Sequence, residues 1–234
     1  MMAVRMRPTI LLTGFGPFPG TPFNASAALV AVIESEAARR RLPYELCCAT
    51  LPTDWREAPA LVRTLADQRK PDAIIHFGVS SRATGFQIET LGFNNAAAAL
   101  DCSGRLPEGH YVHRGGPPRL SATLPAWALL RQLRLAGLPV SLSADAGRYL
   151  CNATLYRSLL AAARSPALPL AGFIHIPALT REAFERASAS PRECTGAMLE
   201  KGAWIILATL ARIMRERKTP ARRIPANRLM SSWL

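Results

Sequence analysis

Short apolar runs of strand length alternate with stretches of helical period along most of the chain, and this alternation constrains the fold more than any other feature. TILLT (9–13) reads as a first strand ending at Gly14. A helix follows over 24–38, with Asn24 as N-cap and Leu29, Val32 and Ile33 on one face. Residues 44–49 form a second strand, and Asp54 with Glu57 at capping-box spacing opens a helix to about Asp67. AIIHFG, ending at Gly78, is a third strand, and FQIETLGF (86–93) a fourth, with Gln87 and Glu89 on one face. Asn94 to Pro118 is irregular and reads as a long surface excursion. Thr123 as cap and Pro125 predict a helix to about Leu135, and 139–142 a strand. A helix is predicted from about Gly147 to Ala163, and AGFIHIP (171–177) is another buried strand. Ser190, Pro191 and Glu193 predict the start of a last helix running to about Arg217. The order predicts an α/β protein, a three-layer α/β/α sandwich around a mostly parallel mixed sheet.

Length and charge bound the rest. The 234 residues fit one domain spanning 1–234, with a basic C-terminal tail at about 218–234. Hydrophobic residues make up 49 % and charged residues 19 %, enough for a large core and incompatible with global disorder. No run of 18 apolar residues occurs, so no membrane span is expected. The opening MMAVRMRPTILLTGFG lacks an A-x-A cleavage site and reads as a strand, not a signal peptide, so a cytoplasmic protein is expected. Net charge is +13, and residues 212–234 hold seven basic groups against Glu216 alone. Without aromatic interleaving or zinc-finger spacing, this basicity reads as a solvated helix end, and nucleic acid is not an expected partner. The five cysteines are odd in number and show no C-x-x-C, so neither a structural metal nor a disulfide framework is expected.

Three reactive side chains fall where an α/β sheet gathers functional groups, beyond strand ends. Cys151 sits early in a helix that follows a strand, where backbone N–H groups favour a thiolate. His175 lies near the end of GFIHIP, and Glu89 lies inside FQIET, where an acid needs a partner. Each alone has an ordinary reading: a small buried thiol, a core imidazole, a solvent-facing acid on an edge strand. Together they make a nucleophile, its acid–base partner and an orienting group.

The segments TGFGPFPG (13–20), PDAIIHFGVSSR (71–82), IETLGFN (88–94), DAGRYLCN (145–152) and GFIHIP (172–177), in this order, resemble the pyroglutamyl peptidase I family of cysteine peptidases. The resemblance covers residues 9 to about 177. It implies hydrolysis of an N-terminal pyroglutamyl residue from peptides, with no metal or cofactor, by a homo-oligomer. Carried over by position, Cys151 would be the nucleophile, His175 the proton carrier and Glu89 its orienting acid. The backbone N–H of Cys151 would help hold the oxyanion. Phe15 and Phe18 would sandwich the lactam ring, whose flat apolar faces suit aromatic packing, and Tyr149 and Leu150 would line the pocket.

The chain departs from the family pattern in two places. The family continues after its acid with a D-A-R-I-P element, and the position of its arginine is Ala99 here. Gly16 stands where the family commonly has glutamate. Loss of one oxyanion donor costs on the order of 2.7–4 kcal/mol in the transition state. Arg105 is a candidate to supply the charge from a shifted loop. Alternative readings are an idle homologue that binds a blocked peptide or small lactam, and a cysteine amidohydrolase with a changed substrate.

Overall fold

In this computed structural model, residues 7–18, 20–167, 169–187 and 193–218 are described. The chain runs β1 (Thr9–Phe15), α1 (Ala25–Ala37), β2 (Glu45–Leu51), α2 (Glu57–Arg69), β3 (Ala73–Ser80), β4 (Phe86–Glu89) and β5 (Leu91–Phe93). It continues with β6 (Arg119–Ser121), α3 (Ala126–Leu135), β7 (Val140–Ser143), α4 (Leu150–Arg164), β8 (Leu170–Pro177), α5 (Arg181–Glu185) and α6 (Gly196–Lys218). Six strands form one sheet in the order β2-β1-β3-β8-β4-β7. The first four run parallel, and β4 pairs antiparallel to β8 and parallel to β7. The expected α/β sandwich with a mostly parallel mixed sheet is the fold observed.

Side chains that alternate along the strands feed two cores, one per face. Ile10, Leu12, Ile75, Phe77, Ile174 and Ile176 pack under α1, α3 and α6 through Leu29, Leu129 and Leu207. Phe15, Leu51 and Phe173 pack under α2 and α4 through Val62, Leu155 and Leu159. Each fully buried Leu, Ile or Phe contributes about 1.5–3 kcal/mol over leaving it exposed. Close approach of α1 depends on Gly14, where a Cβ would stand 2.4 Å from the Ser26 carbonyl oxygen.

Asn24 caps α1 as expected, accepting from the Ser26 N–H at 3.0 Å. Other boundaries differ. Asp54 accepts from the Arg56 and Glu57 N–H groups at 2.8 and 2.9 Å, so it closes a turn ahead of α2, and that helix continues to Arg69, where Lys70 turns left-handed. The predicted strand over 86–93 breaks at Thr90, whose N–H donates to the Ser143 carbonyl, and its second half pairs with β6 instead. Thr123 does not cap α3: its hydroxyl accepts from the Ala171 N–H at 2.7 Å, stitching the loop to β8, and Pro125 precedes the helix. Gly147 stands in a turn at φ +78°, and α4 begins at Leu150. The last helix begins at Gly196, with the Met198 N–H reaching the Thr195 hydroxyl, while Glu193 pairs with Arg186. Ser190 and Pro191, and all of the basic tail beyond Lys218, lie outside the described residues.

Candidate active site

β4 and β8 are neighbours, and their pairing brings Glu89 and His175 to the same face of the sheet, beneath the start of α4. Glu89 is wholly buried, which removes the reading of a solvent-facing edge acid. Its Oε1 lies 2.8 Å from His175 Nδ1, while its Oε2 has no hydrogen-bond partner. An unmatched buried carboxylate oxygen is costly, so the His175 contact carries much of the compensation for burying this charge.

Cys151 occupies the first turn of α4, partly exposed, with its sulfur over Gly78, the residue that pairs in register with His175. Burial alone would lower the His175 pKa. The Cys151 sulfur and the Glu89 carboxyl beside the ring outweigh that burial and raise the pKa from 6.5 to about 10. The imidazole therefore holds its proton at neutral pH, with the Glu89 carboxyl at Nδ1. No N–H(i)→O=C(i−4) bond can occupy the first amides of a helix, so the amides around Cys151 are available to an oxyanion.

The other expected residues surround these three unequally. Phe15 is 3 % exposed and packs against Phe173 with ring centroids 6.1 Å apart, and Phe173 in turn lies 4.8 Å from the His175 ring. Phe18 is half-buried in a short turn that pairs with Thr21. Tyr149 stands edge-on to Trp55 at 5.2 Å and donates its hydroxyl to the Leu100 carbonyl. Leu150 is buried in the core under α4. Surface cavities of about 490 and 570 Å³ open elsewhere, beside Tyr44 and Cys48 and beside Leu124 and Trp127.

Four residues that shape the site were given no role from the sequence, although three of them lie in the quoted motifs. Asp101, wholly buried, accepts from the N–H groups of Trp55, Ser103 and Arg105 and pins the 94–118 excursion to the rim. Its D-C-S-G context is a turn signal that could have marked it. Asn94 holds the far end of the excursion through His113 and Gly116. Asn152 bonds both backbone groups of Phe93, so the residue after the thiol ties α4 to β5. Gly78 faces the thiol: a Cβ there would lie 3.2 Å from Cys151 Sγ and 2.5 Å from the Phe173 ring. Ala99 has no charged side chain to offer, and its backbone is engaged, the carbonyl accepting from the Trp55 indole and the N–H donating to the Ala97 carbonyl. Arg105 lies 3.6 Å from Asp54, which employs it in holding the excursion. Among the described residues, no group of three or more His, Cys, Asp or Glu side chains could hold a metal ion.

A thiol, an imidazole and a buried carboxyl gathered on one face of an α/β sheet are the side-chain types that thiol hydrolases employ. Comparison with known proteins agrees. The family described as pyroglutamyl peptidase matches residues 8–209. The chain is 33 % identical over 177 residues to pyrrolidone-carboxylate peptidase 1 of Ralstonia nicotianae, covering 75 % of this chain and 81 % of that protein. It is 31 % identical over 175 residues to pyroglutamyl-peptidase 1 of Rattus norvegicus, covering 74 % and 80 %. The crystal structure of Bacillus amyloliquefaciens pyroglutamyl peptidase I superposes with a TM-score of 0.77 at 26 % identity, over 88 % of this chain and 98 % of that one. The chain belongs to the pyroglutamyl peptidase family, and it is a peptidase. No helix among the described residues is long and apolar enough to cross a membrane.

Proposed function

We propose that this protein removes an N-terminal pyroglutamyl residue from peptides, with Cys151 as nucleophile, His175 as proton carrier and Glu89 as the acid that orients it. The observation that carries the reading is the buried Glu89–His175 contact of 2.8 Å, with the Cys151 sulfur over Gly78, the register partner of His175. In this mechanism the Cys151 thiolate attacks the pyroglutamyl carbonyl, and the oxyanion is received by amides at the start of α4. The imidazolium gives its proton to the departing amine as the C–N bond breaks, leaving a thioester. Neutral His175 then takes a proton from water, the resulting hydroxide attacks the thioester and expels the Cys151 thiolate, and pyroglutamate leaves, which restores the thiolate and imidazolium. Phe15 forms the inner wall of the lactam pocket and Phe18 the outer wall, with Tyr149 and Leu150 completing it. The same reading takes the chain as one domain acting as a homo-oligomer in the cytoplasm, on a peptide substrate without cofactor.

A second reading, an enzyme with a changed substrate or an idle binder of blocked peptides or lactams, is favoured by one observation. Ala99 brings no side-chain charge to the site, and Arg105 is engaged by Asp54. Release of a fluorescent amine from a pyroglutamyl amide, measured for reduced wild type and Cys151→Ala, separates the two. Activity lost in the variant supports the peptidase. Absence of activity in folded wild type favours the changed substrate or the idle binder.

A further inference from the structure

One buried titratable group has no part in that mechanism. His76 on β3 is wholly buried and bridges two elements: its Nδ1 lies 2.6 Å from the Thr13 hydroxyl on β1, and its Nε2 lies 2.8 Å from the Ser158 hydroxyl on α4. Burial lowers its pKa from 6.5 to about 3, so it stays neutral, with one nitrogen donating and the other accepting. Thr13 and Ser158 are themselves almost fully buried, so this is a closed polar chain inside an apolar core.

Its position relates it to the thiol. Ser158 follows Cys151 by seven residues, two turns along the same face of α4. His76 precedes Gly78 by two residues on the same face of β3, and Gly78 pairs in register with His175. Helix α4 therefore meets β3 at two points on one line, Cys151 over Gly78 and Ser158 over His76. The second contact is a directional hydrogen bond, whereas the apolar contacts around it fix depth better than axial position. We propose that the His76–Ser158 pair is a positioning device, in which His76 fixes the axial register of α4 on the sheet and thereby sets Cys151 against His175. This rests on the assignment of Cys151 and His175 as the reacting pair, and His76 and Ser158 act through them without touching substrate.

The test reads the thiol directly, through the pH profile of iodoacetamide alkylation followed at the Cys151 peptide by mass spectrometry, alongside kcat and KM for the pyroglutamyl amide. Ser158→Ala removes the α4 end of the chain. His76→Asn keeps a group near Nδ1 and loses the reach to Ser158, whereas His76→Gln places its amide near Nε2 and keeps it. Thr13→Val cuts only the β1 end. A displacement of about 1 Å costs about 10²-fold in a positioned reaction, so a partial shift predicts about tenfold slower alkylation and kcat in Ser158→Ala and His76→Asn, with KM little changed. His76→Gln and Thr13→Val are expected to keep the wild-type profile despite lower Tm. If Ser158→Ala does not fold, the Asn and Gln variants at position 76 decide. Wild-type alkylation in folded Ser158→Ala or His76→Asn would overturn the proposal and leave the chain a core stitch. Because alkylation needs no pyroglutamyl substrate, a wild type inactive on the amide would count against the substrate assignment, while the variant profiles would still decide the role of His76.

Discussion

His175 keeps a proton that its burial alone would strip away, because the Cys151 sulfur and the Glu89 carboxyl both favour the charged ring. Replacing Glu89 with Gln preserves shape and removes the charge behind the ring. General acid–base catalysis contributes about 10²- to 10⁴-fold, so Glu89→Gln is expected to lower kcat by a large part of that range. KM for the pyroglutamyl amide should change little. The pH profile offers an independent reading. The proton needed by the leaving amine is lost as pH rises through about 10, so kcat/KM should fall on that side, and Glu89→Gln should move the fall toward lower pH. An unmoved alkaline limb in that variant would separate Glu89 from the titration of His175. Phe18 is half-buried where Phe15 is nearly sealed, so Phe18→Ala should raise KM with little loss of fold. Steady-state kinetics distinguishes this from a fall in kcat alone, which would argue against a role in holding the ring.

At the scale of elements, the 94–118 excursion is held more by buried side chains than by regular structure. Asp101 satisfies three backbone N–H groups, and Asp101→Ala would leave buried donors without a partner. The expected loss is about 1–3 kcal/mol in urea unfolding, with faster trypsin cleavage at Arg105 or Arg114 within the freed segment. What was legible in the sequence follows the same division. Asn24 reads as a cap because its partner is Ser26, two residues away. Thr123 looks equally like a cap, yet its partner is Ala171 across a separation of 48 residues, and local pattern carries no trace of that. Asp101 and Trp55 are 46 residues apart, and Ser158 and His76 82 apart, so their pairing exists only once the sheet has formed. The break at Thr90 has the same origin, since strand composition continues to Phe93 while the second half leaves for a different partner. Cys151, His175 and Glu89 were legible because their residue types and neighbouring motifs carry chemistry, whereas the support behind them is built from ordinary Ser, Thr, Asn and Gly.

The whole molecule carries two buried histidines that bias its stability in opposite pH windows. His76 has a folded pKa of about 3 against 6.5 unfolded, so between those values the unfolded chain binds a proton that the folded chain refuses. Its effect is to lower stability as pH falls through that window. His175 has a folded pKa of about 10, so its contribution is full below pH 6.5 and is lost as pH rises toward 10. Urea unfolding across pH is expected to show both limbs, and His76→Gln should flatten the acid one while leaving the alkaline one in place. An acid limb unchanged in His76→Gln would assign that sensitivity to other groups.

The order of strands has a consequence for how the molecule comes into being. β8 arrives last of the main-sheet strands along the chain, yet it sits between β3 and β4. Until it inserts, β2-β1-β3 and β4-β7 are two separate pieces, each with an open edge facing the gap. A ribosome-bound chain that has not yet released residues 170–177 therefore presents two sticky borders and no histidine beside its thiol. The strand that seals the sheet is the one that delivers His175, so gain of peptidase activity during refolding should time the joining of the halves.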